Sequence, residues 1–181
     1  LKAEAARHQG ALIAPEDLID ETTSLTEWPV IYTSEFEEKF LAVPEECLIL
    51  TMQTNQKYFP MRDASGKLMN RFCLVSHVIA KDGGTAVSEG NARVVRARLA
   101  DAEFFYKQDC MTTLESRVPG LSSVVYHNRL GTPDERMLRV RAIAGAVARA
   151  IGADREKAER AAELAKTDLR TLMVGEFPEL Q

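Results

Sequence analysis

The alternation of apolar and polar residues predicts a long amphipathic helix over residues 89–105. Val95, Leu99 and Ala102 follow the spacing of three and four positions that is typical of one buried helix face. The other faces carry three arginines, which are Arg93, Arg96 and Arg98. This segment, the arginine helix, is therefore expected to pack on one side and to present guanidinium groups on its other sides.

The charges of the arginine helix allow two interpretations. Glu89 and Arg93 stand four positions apart, and Arg98 and Asp101 stand three apart, so both pairs have the spacing of helix-surface ion pairs. A solvated face of ion pairs is the commoner outcome for such a pattern. The alternative is a surface whose guanidinium groups bind an anionic partner such as a phosphate.

The segments before the arginine helix predict helices and a small sheet. Residues 30–33 and 71–79 have the composition of strands, and residues 57–62 are expected to be extended. The polar turn at 63–67 joins the last two segments into a hairpin. Pro60 lacks an N–H group, so it is expected to place the first strand of this hairpin at a sheet edge.

The chain after the arginine helix predicts helices throughout. Thr112 with Glu115, and Thr132 with Glu135, have the spacing of a capping box at a helix start. Gly152 is suited to end a helix because glycine adopts the left-handed conformation without strain.

Two of these helices have a predicted packing face. In the helix that follows Thr132, the expected buried stripe consists of Val140, Ile143, Ala144, Val147 and Ile151. Asp154 is expected to cap a third helix that continues through Leu169 and Leu172. The many alanines of this third helix indicate close packing against another helix.

These patterns predict an α+β fold in which a small sheet with packed helices is followed by an all-α part. The first region comprises residues 1–110 and the second comprises residues 111–181. With 181 residues, of which 45% are hydrophobic, the chain can bury a core. Its net charge of −4 excludes the overall basic surplus of an autonomous nucleic-acid-binding domain, so any RNA contact must use local patches.

Other sequence features bound the surroundings of the protein. No apolar run is long enough to cross a membrane, and no signal peptide is visible. Cys47, Cys73 and Cys110 are widely separated, which argues against a disulfide framework or a zinc site and is typical of a reducing cytoplasm. Because the chain begins at Leu1 and ends without a tail, we expect it to be a piece of a longer protein.

Two pairs of neighbouring residues have side chains that could take part in catalysis. Ser76 and His77 are neighbours on a predicted strand, so they point to opposite faces and cannot form a nucleophile–base pair. His77 is expected to be a satisfied residue of the sheet. Thr167-Asp168 lies where a metal-binding His-Asp pair would stand in a phosphohydrolase, but threonine cannot replace a neutral imidazole ligand. Asp168 is therefore expected to be a cap or an ion-pair partner.

Residues 55–59 combine two amides, a cation and two aromatic rings. This composition suits stacking on a nucleic-acid base and hydrogen bonding to the edge of that base. The alternative, which we favour, is that Tyr58 and Phe59 divide between core and surface while the polar groups satisfy a turn.

Several segments resemble the β subunit of bacterial glycyl-tRNA synthetase. They are residues 18–30, 36–44, 55–60, 89–91 with 95–105, 165–169 and 173–181. The resemblance covers essentially the whole chain in order, so it implies a central fragment of a much larger β subunit. It also implies a B3/B4-like region followed by a truncated helical region of the HD type.

The resemblance carries expectations about activity and partners. The family's enzyme is an α2β2 ligase that uses ATP and Mg²⁺ to activate glycine and attaches glycine to its tRNA in the cytoplasm. Its active site lies in the α subunit, while the β subunit resembles a platform for tRNA binding and assembly. The expected partners are therefore the α subunit and glycine tRNA. No catalytic residue, bound metal or cofactor is expected in this chain.

RNA contacts are predicted for a small set of residues. They are Lys57, Tyr58, Arg93, Arg96 and Arg98. Arginine suits phosphate because its planar guanidinium group donates two parallel hydrogen bonds.

Two rival functions remain at this point. One is an editing hydrolase that clears mischarged tRNA, although glycine is small enough for its own pocket to exclude larger amino acids. The other is a purely structural subunit interface.

Overall fold

The structure is a computed structural model that describes residues 1–127 and 129–181. It divides into two compact units, Leu1–Phe104 and Phe105–Gln181. The first unit contains a four-stranded antiparallel sheet with helices, and the second contains several helices. The coarse prediction of an α+β fold is therefore confirmed, while the boundary between residues 110 and 111 stays a prediction.

The helices and strands of the described residues have the following bounds. The helices are α1 (Lys2–Arg7), α2 (Glu16–Ser24), α3 (Glu45–Leu50), α4 (Thr85–Asp109), α5 (Leu114–Arg117), α6 (Pro133–Ala150), α7 (Arg155–Leu164) and α8 (Leu172–Glu176). The strands are β1 (Ala11–Leu12), β2 (Val30–Glu35), β3 (Phe59–Arg62) and β4 (Leu68–Ser76). None of these helices has the length and hydrophobicity that crossing a membrane requires.

The sheet has the strand order β1-β3-β4-β2. β2 pairs with β4 from Val30 opposite Ser76 to Glu35 opposite Arg71. β3 and β4 form the predicted hairpin, and its turn is organised by the carboxylate of Asp63, which accepts hydrogen bonds from backbone amides within the turn. The hairpin prediction is therefore confirmed.

Pro60 does not place β3 at a sheet edge, so this expectation is wrong. β3 lies between β1 and β4. The carbonyl of Pro60 accepts a hydrogen bond of 2.8 Å from Ile13 N, just after β1. The N–H group that proline lacks would point to this same side of β3. The sheet tolerates the proline there because β1 is only two residues long and the register of β3 shifts between Pro60 and Arg62.

β4 ends at Ser76, three residues before the predicted end. His77 is therefore an exposed residue of the following bend and not a residue of the sheet, which corrects the expectation. The chain leaves the sheet here because the Tyr32 hydroxyl donates to Val78 O at 3.0 Å and accepts from Ala80 N at 2.8 Å.

The core of the first unit is built on aromatic and aliphatic side chains from the sheet and from the segments around it. Its large buried members include Phe40, Leu48, Met52, Phe59, Met61, Phe72, Val95 and Leu99. The Phe72 ring stacks on Tyr58 and Phe36, with centroid distances of 4.7 Å and 6.5 Å. Phe72 therefore links the middle of β4 to two other segments of the unit.

Replacing Gly84 by alanine is expected to lower the free energy of unfolding by about 2 kcal/mol. Gly84 has a φ of +94°, and a Cβ atom there would overlap the ring of Tyr32. This ring cannot easily move because its hydroxyl bonds Val78 O and Ala80 N. Guanidinium unfolding followed by circular dichroism measures the effect.

Gly90→Ala is the matched control for this substitution. Gly90 lies inside α4, and apart from its chain neighbours and the backbone of its own helix, a Cβ atom there meets nothing within 4 Å. Its replacement is expected to raise the stability by about 0.5–1 kcal/mol, because alanine loses less conformational entropy than glycine in a helix. If Gly84→Ala is as stable as the unchanged chain, the explanation from the positive φ of Gly84 and its overlap with the Tyr32 ring is contradicted.

The helix boundaries of the second unit follow most of the predicted signals. Thr132 and Glu135 form the predicted capping box, Asp154 caps α7, and Gly152 has a φ of +70° just after α6. The cap of α5 is Thr113 instead of Thr112, because the Thr112 amide bonds Asp109 O and so belongs to the preceding turn. α7 ends at Leu164, before the two leucines that were expected to continue it.

Within the described residues the predicted buried stripe of α6 is wrong, since none of its five members is buried and only Ala144 is half-buried. Val140, Ile143, Val147 and Ile151 are exposed by 42%, 63%, 52% and 73%. The buried side of α6 is instead formed by small or flexible residues, namely Met137, Gly145 and Ala148. A Cβ atom added to Gly145 would overlap the side chain of Glu159 in α7, so this small-residue face of α6 contacts α7.

Asp109, the last residue of α4, joins several parts of the second unit. Its Oδ1 lies 3.0 Å from Nη2 of Arg117, and the two side chains are only 13% and 11% exposed. Its carboxylate also accepts hydrogen bonds of 2.9 Å from the amides of Leu172 and Met173 at the start of α8. One carboxylate therefore connects the ends of α4, α5 and α8.

Candidate nucleic-acid interface

The arginine helix is the central part of α4. Its predicted buried face is confirmed, since Val95, Leu99 and Ala102 are at most 1% exposed. All three arginines are exposed, namely Arg93, Arg96 and Arg98. The helix therefore packs through one apolar stripe and holds three guanidinium groups in solvent.

The three arginines do not form one patch. Successive residues of an α-helix are rotated by about 100°. Relative to the buried Val95, Arg93 lies roughly on the opposite side, Arg96 about 100° away on one flank and Arg98 about 60° away on the other flank. Arg93 and Arg96 can therefore approach the same ligand, while Arg98 faces a different direction.

Arg96 is held by a carboxylate from another segment. Its Nε forms an ion pair with Oε1 of Glu37. A backbone hydrogen bond lowers the pKa of Glu37 most, and the Arg96 guanidinium lowers this pKa further. Glu37 is therefore ionised at neutral pH, and a phosphate that binds Arg96 must compete with it.

Unlike Arg96, Arg93 and Arg98 are not held by a carboxylate of the described residues. Within residues 1–127 and 129–181, no carboxylate lies within the 4.0 Å ion-pair distance of either guanidinium group. The predicted ion pairs of Arg93 with Glu89 and of Arg98 with Asp101 are therefore wrong. Such pairs contribute only about 0.2–0.5 kcal/mol, which is too little to fix long side chains on an exposed helix face.

Tyr58 is buried and unavailable for stacking on a base. One face of its ring stacks on Phe72, and its hydroxyl donates a hydrogen bond to Oδ1 of Asn91 in α4. Burial raises the pKa of the Tyr58 phenol, so the hydroxyl stays protonated and remains a donor at neutral pH. The ring and the hydroxyl of Tyr58 are therefore both engaged within the protein, and the RNA contact predicted for this residue stays a prediction.

Lys57 lies beside Tyr58 but reaches the surface. Its Nζ is 2.9 Å from a carboxylate oxygen of Glu21, and both side chains are partly exposed. Its φ of +57° is unusual for a residue with a side chain. With this conformation, the Lys57 side chain reaches the solvent while the side chain of the next residue, Tyr58, is buried.

Two contacts in this region were not predicted. The Tyr58–Asn91 hydrogen bond and the Glu37–Arg96 ion pair each bring a distant segment onto α4. These partners are separated by 33 and 59 positions, so no local spacing indicates them. Residues 36–44 and 55–60 both carry the family resemblance, and both contact the arginine helix.

A polar cleft of about 550 Å³ lies between β2 and the start of α4. Its hydroxyl groups serve the fold: Ser34 Oγ donates to Ser88 O at 2.8 Å, and Ser88 Oγ donates to Thr33 O at 2.9 Å. The cleft is also lined by three carboxylates, those of Glu4, Glu35 and Glu89. Such a lining repels phosphate, so the cleft is a poor site for RNA.

The Thr167-Asp168 pair shows no arrangement for catalysis. Thr167 is buried, and its Oγ1 donates to Leu164 O at 2.8 Å. The Asp168 side chain has neither a hydrogen bond nor an ion pair with a described residue, so its expected role as a cap or ion-pair partner is wrong. Over the described part of the chain, no three metal-ligating side chains come together.

Comparison with known proteins gives consistent matches over the whole chain. The family model described as glycyl-tRNA synthetase beta subunit matches residues 1–181. The chain is 61% identical over 181 residues to a glycine–tRNA ligase beta subunit of Neisseria meningitidis, covering 100% of this chain and 26% of that protein. It is 57% identical over 183 residues to the Ralstonia nicotianae protein of the same name, again covering 100% of the chain and 26% of the relative. The chain thus spans about a quarter of the length of these relatives.

Proposed function

Because the chain belongs to the glycyl-tRNA synthetase beta-subunit family, we propose that it works as part of the β subunit in the ATP-dependent attachment of glycine to its tRNA. Its contribution is to bind glycine tRNA and to help hold the α subunit, without a catalytic site of its own. ATP and Mg²⁺ are used in the α subunit, and the enzyme works in the cytoplasm. The observation that carries this proposal is the family match over all 181 residues.

The exposed guanidinium groups of α4 support the RNA-binding part of the proposal. Arg93 and Arg98 project from α4 without an ion pair to any described residue, so binding a phosphate breaks no internal contact. Their positions on different sides of the helix suit two separate phosphates better than one. Such contacts position a nucleic acid and do not read its sequence.

Arg96 and Lys57 are the weaker candidates of the set. Each is paired with a carboxylate, Arg96 with Glu37 and Lys57 with Glu21. A phosphate must displace that carboxylate, and the unpaired carboxylate then repels the phosphate. We therefore rank these two residues below Arg93 and Arg98 as RNA contacts.

The finer architecture is also part of the proposal. The antiparallel sheet of the first unit, with its packed helices, is consistent with a B3/B4-like module. The α6–α7 pair is consistent with the beginning of an HD-type helical domain, and Thr167 stands where a working site would need histidine. We propose that this helical part has a structural role instead of a phosphohydrolase activity.

Substitution of Arg93 or Arg98 by alanine in the intact α2β2 enzyme is expected to weaken tRNA binding about fivefold. Loss of one phosphate contact also reduces the slope of log K against log salt by about 0.7–0.9. The kcat of aminoacylation should change little, while the KM for tRNA rises, because the lost contact acts equally in ground and transition states. Fluorescence anisotropy with labelled glycine tRNA at several salt concentrations measures the effect.

Arg7→Ala serves as the control for this experiment. Arg7 is an exposed arginine of α1 that already pairs with Glu4 at 2.8 Å, so its removal should leave the affinity and the salt slope unchanged. If both α4 variants keep the parent affinity and salt slope while their circular dichroism spectra are intact, α4 does not bind RNA.

A purely structural subunit interface is the second candidate. The Arg96–Glu37 pair favours it, because one of the three arginines is already engaged within the protein. A crosslinking map of the tRNA complex separates the two functions: crosslinks from α4 to tRNA support the first, and crosslinks from α4 to the α subunit support the second.

A further inference from the structure

The exposed apolar residues of α6 form a continuous row. They are Val140, Ile143 and Val147, followed by Ile151, which directly follows the last residue of the helix. Their spacings of three and four place them on one side. We call these four residues the α6 row. Another face of α6 already packs against α7 through Gly145. The α6 row is therefore a second apolar face, separate from the one that contacts α7.

A cavity of about 310 Å³ continues the α6 row toward the start of the helix. Its apolar lining includes Met137, Val140 and Leu169, so Val140 belongs to both the row and the cavity. Two cations, Arg136 and Lys166, stand at the same cavity, and the described residues that line it include no aspartate or glutamate. The surface thus combines an apolar track with a positively charged end.

Arg136 is held in a defined position at this end. Its guanidinium carbon lies 4.6 Å from the centre of the Tyr126 ring, which also lines the cavity. A cation above an aromatic ring keeps its N–H groups free to bind a carboxylate. The matching ligand is therefore an apolar segment with an acidic side chain near one end.

We propose that the α6 row and its cavity form the docking site of another helical segment of the same β subunit. This inference rests on the proposed function, since it places these residues in a β subunit. In the relatives, about three quarters of the polypeptide lies outside the matched 26%. The docked segment would be an amphipathic helix with a carboxylate at Arg136 and Lys166.

Two physical arguments favour this occupant over others. RNA binding requires cations along the contact, whereas the α6 row carries apolar side chains from Val140 to Ile151. A segment of the same polypeptide has a high effective concentration at the site, so it covers the row permanently. Permanent cover matters because a long exposed apolar row favours aggregation.

The test measures thiol accessibility in the full-length β subunit. Ile143→Cys places a thiol on the α6 row, and Ala142→Cys places one on the neighbouring exposed residue, about 100° around the helix. Reaction with a maleimide is followed by peptide mass spectrometry in β alone, in the α2β2 enzyme, and after adding glycine tRNA. The peptide readout separates these thiols from the exposed Cys110.

The I143C thiol is expected to react at least about tenfold more slowly than the A142C thiol in β alone, because only local opening exposes a covered position. Equal rates in β alone overturn the proposal. Protection that arises only with the α subunit or only with tRNA also overturns it, because the occupant is then another molecule. If I143C does not fold, Val147→Cys replaces it in the same comparison.

A parallel aminoacylation assay keeps this inference separate from the proposed function. If A142C enzyme charges glycine tRNA normally while the I143C thiol reacts freely, the docking inference fails and the proposed function stands. If the parent α2β2 enzyme does not charge glycine tRNA, the proposed function fails whatever the thiol rates are.

Discussion

Replacing Phe72 by alanine is expected to lower the free energy of unfolding by about 3–5 kcal/mol. The Phe72 side chain is fully buried in β4 and stacks on the rings of Tyr58 and Phe36. Its removal loses the burial of the ring and leaves a cavity, because the paired strands on both sides of β4 cannot close the space. Guanidinium unfolding, followed by circular dichroism, measures the change.

Two further variants make this prediction specific. Ile79→Ala removes a side chain that is 74% exposed just after β4, so its effect should stay within about 0.5 kcal/mol. Tyr58→Phe keeps the stacked ring and removes only the bond to Asn91, so its effect should be about 1 kcal/mol. A Phe72→Ala effect as small as that of Ile79→Ala would contradict the central position of Phe72 in the core.

Replacing Asp109 by alanine is expected to lower the free energy of unfolding of the second unit by about 3 kcal/mol. The substitution leaves the nearly buried Arg117 without its carboxylate partner, and it leaves the amides of Leu172 and Met173 without an acceptor. Hydrogen exchange should therefore accelerate most at these two amides, which mass spectrometry or NMR can measure alongside the denaturation midpoint.

Asp154→Ala is the control for Asp109→Ala. Asp154 is also a helix cap, but its side chain is half exposed and its main partner is the Lys157 amide. Its loss should lower the stability clearly less than the loss of Asp109, because water can replace an exposed cap. Equal effects of the two substitutions would show that the buried ion pair adds nothing to capping.

Local patterns predicted the elements whose signals lie within a few residues. The buried stripe of α4 was found from Val95, Leu99 and Ala102, and the capping box from Thr132 and Glu135. In each case the interacting groups lie within one or two helical turns, so their spacing alone determines the geometry.

The wrong prediction of the buried side of α6 has a definite physical cause. The spacing rule assigns the largest apolar side chains to the inside, and these belong to Ile143 and its neighbours. α7 instead packs on the side of α6 that carries the buried Gly145 and Ala148, where the Glu159 side chain of α7 lies against Gly145. A helix with two apolar sides carries two overlapping apolar patterns. The sequence does not indicate which of the two sides the rest of this chain covers.

The candidate interface was predictable only in part. The family resemblance and the charge pattern identified Arg93 and Arg98, which do lie in solvent. The sequence does not show which cations are already paired with a carboxylate, because such pairs join distant positions. Arg96 and Glu37, for example, are 59 positions apart. Burial of Tyr58 likewise depends on a strand and a helix that are distant in sequence, so composition alone made it look available.

The hydrogen bonds of Asn91 limit how this part of the protein can evolve. Its side-chain oxygen accepts from Tyr58, and its side-chain nitrogen donates to Val87 O at 2.7 Å. Aspartate would supply no donor at neutral pH, leucine would supply neither group, and glutamine would be one methylene too long. Few amino-acid changes at position 91 are therefore neutral one at a time, and a lineage that loses the tyrosine hydroxyl removes the main constraint on that asparagine.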